Sequence, residues 1–523
     1  MISSKAKKAF LNRKLQSFDW MKKFSKKTID LELKALAPRP KVRFGDIELW
    51  LHQKVSFLIM VHLKRFLIFL DMGNGKSLLT LALINYRKKR GENPKAIVFV
   101  PYITAVETWI EESEKYTPNL TCVPLLGTSV ENMNTIRTVD GDLFVICYQS
   151  AVAMVSKKTK ATKKTKGSWN FKAEDIRKYF KSFDMMVADE IHKIKSVSSL
   201  TYRMCKAISQ RTDWVFGLTG TPFGKDLTDL WAQFYVVDQG ETLGHTLGLY
   251  KDCFFKEGRN HWGGYVFTFK ENLFPKLKKM IKNSSIRYSV DECHDMPQLK
   301  RIPKVLNLTE SMEGYFEKAN EKLKAEIKKK KRNYRTVKSI FIQLRQLSSG
   351  FMTFKGEESN DKVEIKFDSN PKLEALMELI DGMPYDSKMV VFHDFVFTNF
   401  LISAELKKNK IDHARVWGGQ KDKIGQIRKF KNDKKCKVLV INSKSGSSSQ
   451  NLQMANYIVF FEEPSSAIDR EQAERRCWRP GQKKRVFIYD LIMKDTYDFR
   501  MRSSNRKGND LLKDLLDGKV KVK

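Results

Sequence analysis

Cysteine is scarce in this chain and widely scattered: seven residues in 523 (122, 147, 205, 253, 293, 436 and 477), with no C-x-x-C pair. No Cys/His group has zinc-ligand spacing, so the thiols read as ordinary reduced cysteines of a cytosolic-type compartment. Long apolar runs are also missing. The longest, Val55 to Leu70, is broken by His62, Lys64 and Arg65, which argues against a membrane span. The opening Met-Ile-Ser-Ser-Lys carries no apolar signal-peptide core. The expectation is a protein that is neither secreted nor membrane-inserted, and is cytoplasmic or nucleoid-associated. Acidic residues are the third shortage. Lys and Arg number 97 against 60 Asp and Glu, a formal net charge of +37. So large an excess implies a polyanionic partner, nucleic acid by default.

Hydrophobic residues at 41% suffice for globular folding, and the length suits two to four domains. Residues 1–45 form a basic region with lysine pairs at 7–8, 22–23 and 26–27; a DNA-contacting arm and a solvated tail both fit it. From Ile47, short β-branched and aromatic runs alternate with amphipathic stretches: Phe66 to Leu70, Ala96 to Pro101, Leu143 to Cys147, Met185 to Ala188 and Trp214 to Thr219. Strands separated by helices predict a parallel sheet covered on both faces, with ligands at the strands' carboxyl ends. The lysine-rich stretch 157–172 reads as a basic insert. Residues 240–305 lack a period and suit a connecting segment. A long charged helical pattern covers Glu310 to Leu347. A second alternation follows at Met389 to His393, Val438 to Asn442, Ile458 to Glu462 and Val486 to Leu491. The basic end, Arg500 to Lys523, predicts a short helix.

One further absence is local. Leu70-Asp-Met-Gly-Asn-Gly-Lys-Ser77 follows an apolar run and opens a helix, but Leu70 stands where the general phosphate-loop pattern has its first glycine. The rest fits: backbone N–H groups around Met72, Gly73, Asn74 and Gly75 to cradle phosphates, Lys76 for the β- and γ-phosphates, and Ser77 for Mg²⁺. Asp189-Glu190-Ile191-His192 follows another strand-like run. Asp189 can hold Mg²⁺ and Glu190 can orient and deprotonate water, with no large pKa shift needed; alone, the pair could equally cap a helix. Gly217-Leu-Thr-Gly-Thr-Pro222 lies at the next strand end. In Gln472 to Gln482, Arg476 and Arg479 share one face if the segment is helical, and could reach a γ-phosphate as arginine fingers do. A surface helix paired with Glu471 and Glu474 is the plainer reading of that segment taken alone.

In this order and spacing the motifs resemble those of the Swi/Snf-related ATP-dependent DNA translocases of helicase superfamily two. Asp71 to Ser77 is similar to that family's D-M-G-L-G-K-T, which also lacks the distant glycine. Leu51-His-Gln53 resembles its adenine-reading glutamine element and Val100 to Trp109 its motif Ia. Asp189 to His192 resembles the D-E-x-H box and Leu218 to Pro222 L-T-G-T-P. Val390 to Phe395 resembles motif IV, Ser443 to Asn456 motif V and Gln472 to Gln482 Q-A-x-x-R-x-x-R-x-G-Q. Together they span about residues 50 to 490. The stretches at Asp229 to Tyr235 and Gly240 to Gly244 resemble compact phage and viral members, which would put the protein in the host cytoplasm. Ser447, Ser449 and Gln450 depart from the glycines of motif V. Glu462-Glu-Pro-Ser-Ser466 replaces D-x-x-W-N-P and leaves open which acid couples the lobes. No bromodomain, chromodomain or RING pattern is legible, so chromatin remodelling is not the expected role.

The resemblance implies an α/β fold of two tandem RecA-like lobes with helical insertions. Its boundaries would be a basic region 1–45, lobe one 46–245, a linker and lysine-rich insertion 246–370, lobe two 371–495 and a basic tail 496–523. It implies ATP and Mg²⁺ as cofactors, double-stranded or branched DNA as partner, and a monomeric enzyme. Lys76, Asp189, Glu190, Arg476 and Arg479 would be catalytic. Gln53, Met72 to Ser77 and Gln472 would bind nucleotide, with Ser77 and Asp189 on the metal. His192, Thr219, Thr221, Asn451 and Gln453 would couple the site to DNA. Rivals are a strand-separating or branch-migrating helicase, an RNA motor and a non-hydrolysing DNA scaffold; the intact catalytic set argues against the last.

Overall fold

The structure is a computed structural model and describes residues 43–44, 47–158, 169–171, 173–220, 226–259, 265–293, 296–329, 333–355, 362–420, 422–443 and 451–506. Its chain divides into two compact units, Met1–His294 and Asp295–Lys523. Each is built on a parallel sheet.

In the first unit the apolar runs form strands β1 (Arg65–Leu70), β2 (Ala96–Val100), β3 (Cys122–Leu125), β4 (Leu143–Cys147), β5 (Met185–Asp189), β6 (Trp214–Leu218) and β7 (Ser285–Tyr288). They lie in the order β7-β1-β6-β5-β2-β4-β3. Every pairing is parallel. Successive side chains of a strand face opposite sides. Leu67, Phe69, Ile97 and Phe99 therefore enter one core, while Phe66, Ile68, Leu70, Val98 and Val100 enter another on the other face. Helices α1 (Leu51–His62) and α2 (Lys76–Lys89) precede and follow β1.

The second unit has β8 (Leu299–Leu306), β9 (Met389–His393), β10 (His413–Val416), β11 (Val438–Asn442), β12 (Tyr457–Phe460) and β13 (Val486–Met493), ordered β8-β13-β12-β9-β11-β10. Again all pairs are parallel. Helices α3 (Glu310–Lys328) and α4 (Tyr334–Leu347) bury Phe316, Leu323, Val337, Phe341 and Leu344 in one cluster. Further helices are α5 (Pro371–Asp381), α6 (Ala467–Cys477) and α7 (Tyr497–Arg506).

The two sheets agree with the expected pair of α/β lobes, and four differences emerge. The segment 246–370 is not a connector throughout. Its β7 pairs with β1 in the first sheet and its β8 with β13 in the second. The charged pattern from Glu310 to Leu347 is two helices, because Lys329 turns extended and Asn333 starts a new helix by accepting from the N–H groups of Arg335 and Thr336. Part of the expected tail 496–523 is folded: α7 places Tyr497 and Met501 in the cluster of α3 and α4. Around the basic insert, Ser156–Lys158 pairs antiparallel with Trp169–Phe171; residues 159–168 lie outside the described residues, as do nearly all of 1–45 and all of 507–523.

Candidate active site

After β1 the chain turns through Asp71 to Gly75, with Gly73 and Gly75 in the left-handed region (φ 91° and 82°) that glycine enters freely. A Cβ on Gly75 would stand 2.4 Å from Nε2 of Gln53. Gly75 caps α2, and the first bond of that helix runs from Leu79 N–H to the Gly75 carbonyl at 3.0 Å. The N–H groups of Lys76, Ser77 and Leu78 thus have no intrahelical acceptor, which is the donor set of an anion site. Lys76 Nζ donates to the Leu70 carbonyl at 2.8 Å, so its amino group sits over the loop. Gln53 Nε2 donates to the Asn74 carbonyl at 3.1 Å, and its Oε1 accepts from Trp50 N–H at 3.0 Å. In this arrangement the expected adenine-reading amide braces the phosphate loop. Asp71 ties the loop to the edge of the sheet, accepting from Val290 N–H at 3.1 Å while its own N–H donates to the Tyr288 carbonyl.

Asp189 and Glu190 stand at the carboxyl end of β5, both buried. Trp109 Nε1 donates to Asp189 Oδ2 at 3.1 Å, Glu190 N–H donates to its Oδ1 at 3.0 Å, and Tyr148 Oη donates to its backbone carbonyl at 3.0 Å. Glu190 takes the left-handed backbone (φ 50°), uncommon for a residue with a side chain and characteristic of constrained functional positions. Thr219, at the end of β6, donates its hydroxyl to Glu190 Oε2 at 2.8 Å. His192 Nδ1 lies 3.1 Å from both that hydroxyl and that carboxylate oxygen. The D-E-x-H and L-T-G-T-P segments are thus in direct contact.

The two carboxyls depart from their ordinary pKa in opposite directions, where the sequence reading needed no shift. Burial, reinforced by neighbouring Glu190, pushes Asp189 up against the opposing charge of Lys76. Burial would also raise Glu190, but contact with His192, the charge of Lys76 and the Thr219 hydroxyl outweigh it and hold Glu190 below the usual range. Glu190 is therefore ionised and oriented. The donor set fits Mg²⁺ and a nucleotide phosphate: a hydroxyl at Ser77 and a carboxylate at Asp189 are hard oxygen ligands, and both belong to the unit that holds the phosphate loop.

In the second unit α6 carries Gln472 and Arg476, both buried. The helix stops at Cys477, so Arg479 does not share its face. It sits in the turn before Gly481, half-buried. Glu474 bonds Arg470 and Arg301, at 2.8 and 2.7 Å, rather than either predicted finger. Gln482 Nε2 donates to the carbonyls of Gln453 and Ala455, and Gln453 N–H donates to Asn451 Oδ1 at 3.1 Å, which joins the ends of motifs V and VI. The acids left open in the sequence both act within the second unit. Glu462 accepts from Asp394 and Phe395 N–H and from the Thr398 hydroxyl. Glu463 pairs with Arg470 at 2.6 Å. Thr221, Ser447, Ser449 and Gln450 lie outside the described residues.

Trp109 was expected only as part of a motif, and its hydrogen bond to Asp189 was not. Lys372, fully buried, donates to Asp498 at 2.7 Å and the Phe461 carbonyl at 2.9 Å. Arg470 gathers Glu463, Glu474 and Asp490 and lies 3.4 Å from the centre of the Phe460 ring. Trp109–Asp189 and Lys372–Asp498 have no spacing signal, their partners standing 80 and 126 positions apart; of the Arg470 contacts only Glu474, four residues on, has helical spacing.

Comparison with known proteins agrees with this geometry. The family described as SNF2-related domain matches residues 49–350, and the helicase conserved C-terminal domain matches 371–481. An uncharacterized ATP-dependent helicase of Mycoplasma genitalium is 25% identical, over 85% of this chain and 40% of its own length. Protein p41 of Acyrthosiphon pisum secondary endosymbiont phage 1 is 24% identical, over 92% of this chain and 98% of its own. A DNA repair and recombination protein RAD54-like of Drosophila erecta is 24% identical, over 81% and 56%. The chain therefore spans 40% of the mycoplasma relative and nearly the whole phage protein. Among solved structures, the SWI2/SNF2 ATPase core of Sulfolobus solfataricus in complex with double-stranded DNA is similar over 92% of this chain and 95% of its own, at 20% identity and a TM-score of 0.40. With phosphate loop, paired acids and arginine segment each in its expected sheet, and the family description matching more than half its residues, the chain belongs to the SNF2-related family of helicase-type ATPases.

Proposed function

We propose that the protein is an ATP-driven motor that moves along double-stranded DNA or remodels it, working in the cytoplasm or nucleoid of a cell, and in phage or viral DNA metabolism if the likeness to the phage protein extends to role. The observation that carries this reading is the contact chain Glu190–Thr219–His192, which ties a water-activating carboxylate to the strand end of the neighbouring motif. Lys76 and the first-turn N–H groups of α2 bind the triphosphate, Glu190 orients and deprotonates water, and Arg476 and Arg479 stabilise charge on the transferred phosphoryl group. Ser77 and Asp189 would hold Mg²⁺, whose charge offsets that of the phosphates. The net charge of +37 supports sequence-tolerant contacts to DNA phosphates. The SNF2-type relatives named for DNA repair support the same substrate class.

Glu190→Gln tests the reading. It keeps the volume of the side chain and removes its negative charge, so DNA-stimulated ATPase activity is expected to vanish while nucleotide binding survives. Undiminished hydrolysis by that variant would refute the assignment.

A further inference from the structure

All strands of the second sheet are parallel, so the segments leading into them gather along one end of it. Those before β9 (383–388), β10 (409–412), β11 (433–437) and β13 (483–485) are rich in cations: Lys388, Lys410, Lys434, Lys435, Lys437, Lys483, Lys484 and Arg485, against Asp386, Asp412 and Asp433. Cross-contacts confirm that three of these segments meet. Lys437 Nζ lies 3.5 Å from the centre of the Tyr385 ring, Lys484 Nζ is 2.5 Å from Asp386 Oδ2, and Met389 N–H donates to the Lys437 carbonyl at 2.8 Å. The carboxylates are already engaged: Asp386 with Lys484, Asp412 with Lys429 at 2.5 Å, and Asp433 with Lys435 N–H at 2.8 Å. Lys410, Lys434, Lys435 and Lys483 have no ion-pair partner among the described residues. Tyr385 is 87% exposed, with its ring held by a lysine.

We infer that this end of the second sheet, beside the Gln453–Gln482 junction of motifs V and VI that lies at the same end, is an auxiliary phosphate-binding surface for duplex DNA. The inference rests on the motor reading above. Like charges gathered without counter-charges repel one another, and a polyanion relieves that repulsion while releasing its own condensed counterions. Lysines suit such a surface because an ammonium group serves as a mobile point charge, which phosphate tracking tolerates and base readout does not. Tyr385 offers a planar, amphipathic face beside the sugar-phosphate backbone. An acidic protein would need matching carboxylates at fixed places. Cations drawn from four separate segments, three of them in contact, match the repeating charge of a nucleic-acid backbone better.

The test is the triple variant Lys434→Ala, Lys435→Ala and Lys483→Ala in the full chain, compared with wild type for duplex affinity over a range of salt. Each lost phosphate contact lowers the slope of log affinity against log salt by about 0.9, so a fall of roughly two to three is expected. Turnover at saturating DNA and the thermal midpoint should stay unchanged, since these side chains are exposed or at the rim. An unchanged slope in an enzyme that duplex DNA does stimulate overturns the surface alone. Turnover at saturating DNA that falls with affinity also overturns it, because the lysines would then belong to the motor's own track. A wild-type ATPase indifferent to duplex DNA overturns the motor reading first.

Discussion

The most consequential single residues here are charged groups removed from water. Lys372 is fully buried and its ammonium is satisfied by Asp498 and the Phe461 carbonyl, so α5, the end of β12 and α7 meet at one amino group. Breaking a buried pair by deleting one partner leaves an uncompensated charge, whereas replacing both with apolar groups often does not. Lys372→Met is therefore expected to destabilise the second unit by about 3–5 kcal/mol. Adding Asp498→Leu should restore much of that loss. Denaturant midpoints of the two variants would check this, and equal loss in both would mean that Asp498 matters for its own bond from Met493 N–H. The pair was invisible in the sequence. Lys76, Ser77, Asp189 and Glu190 were legible because phosphate and metal chemistry demands fixed local spacing. Lys372 and Asp498, 126 positions apart, answer only to the folded chain.

At the scale of elements, the strands that could be read and those that could not divide by position in the sheet. β1, β2, β4, β5, β6, β9, β11, β12 and β13 are covered on both faces and announce themselves as apolar runs. Within the two large sheets, the four that escaped, β3, β7, β8 and β10, are the edges. These edge strands are less buried than the central ones, carry charges such as Arg287 and Lys300, and tolerate Pro124 and Pro303. A connector was therefore read where two sheets in fact begin or end. A central strand can also carry a titrating group into the core. His393, last residue of β9, is fully buried, with Nδ1–H donating to the Phe395 carbonyl at 2.9 Å and Nε2 accepting from Asn399 Nδ2 at 3.0 Å. Burial lowers its pKa from 6.5 to about 4. Its folded value lies below its unfolded one, so the stability present above pH 6.5 drains as pH falls towards 4, by about 3 kcal/mol in all. His393→Gln should flatten this part of the profile of stability against pH, as read by denaturant melts from pH 7 to 4. An unaltered profile would assign the acid sensitivity to other groups.

At the scale of the molecule, the residues expected to perform hydrolysis are divided between two compact units. The first holds Lys76, Ser77, Asp189 and Glu190; the second holds Arg476 and Arg479. Under the proposed function, a reaction that draws on both sets would couple hydrolysis to a conformational step. The structure adds that the two arginines are not equivalent. Arg476 is buried on α6 and its carbonyl accepts from Leu452 N–H at 3.1 Å, whereas Arg479 lies beyond the helix end in a glycine turn. Arg479 is then the residue whose guanidinium can be removed with least disturbance to the second unit. Arg479→Ala is expected to lower DNA-stimulated turnover by about 10³-fold, the lower range for an arginine finger. Duplex affinity, its salt dependence and the thermal midpoint should remain near those of wild type. The measurement is a steady-state ATPase titration with duplex DNA beside a binding titration at the same salt. Turnover and affinity lost together would mean that Arg479 holds DNA or the turn before Gly481, and the coupling of the two units would then have to rest on Arg476 alone.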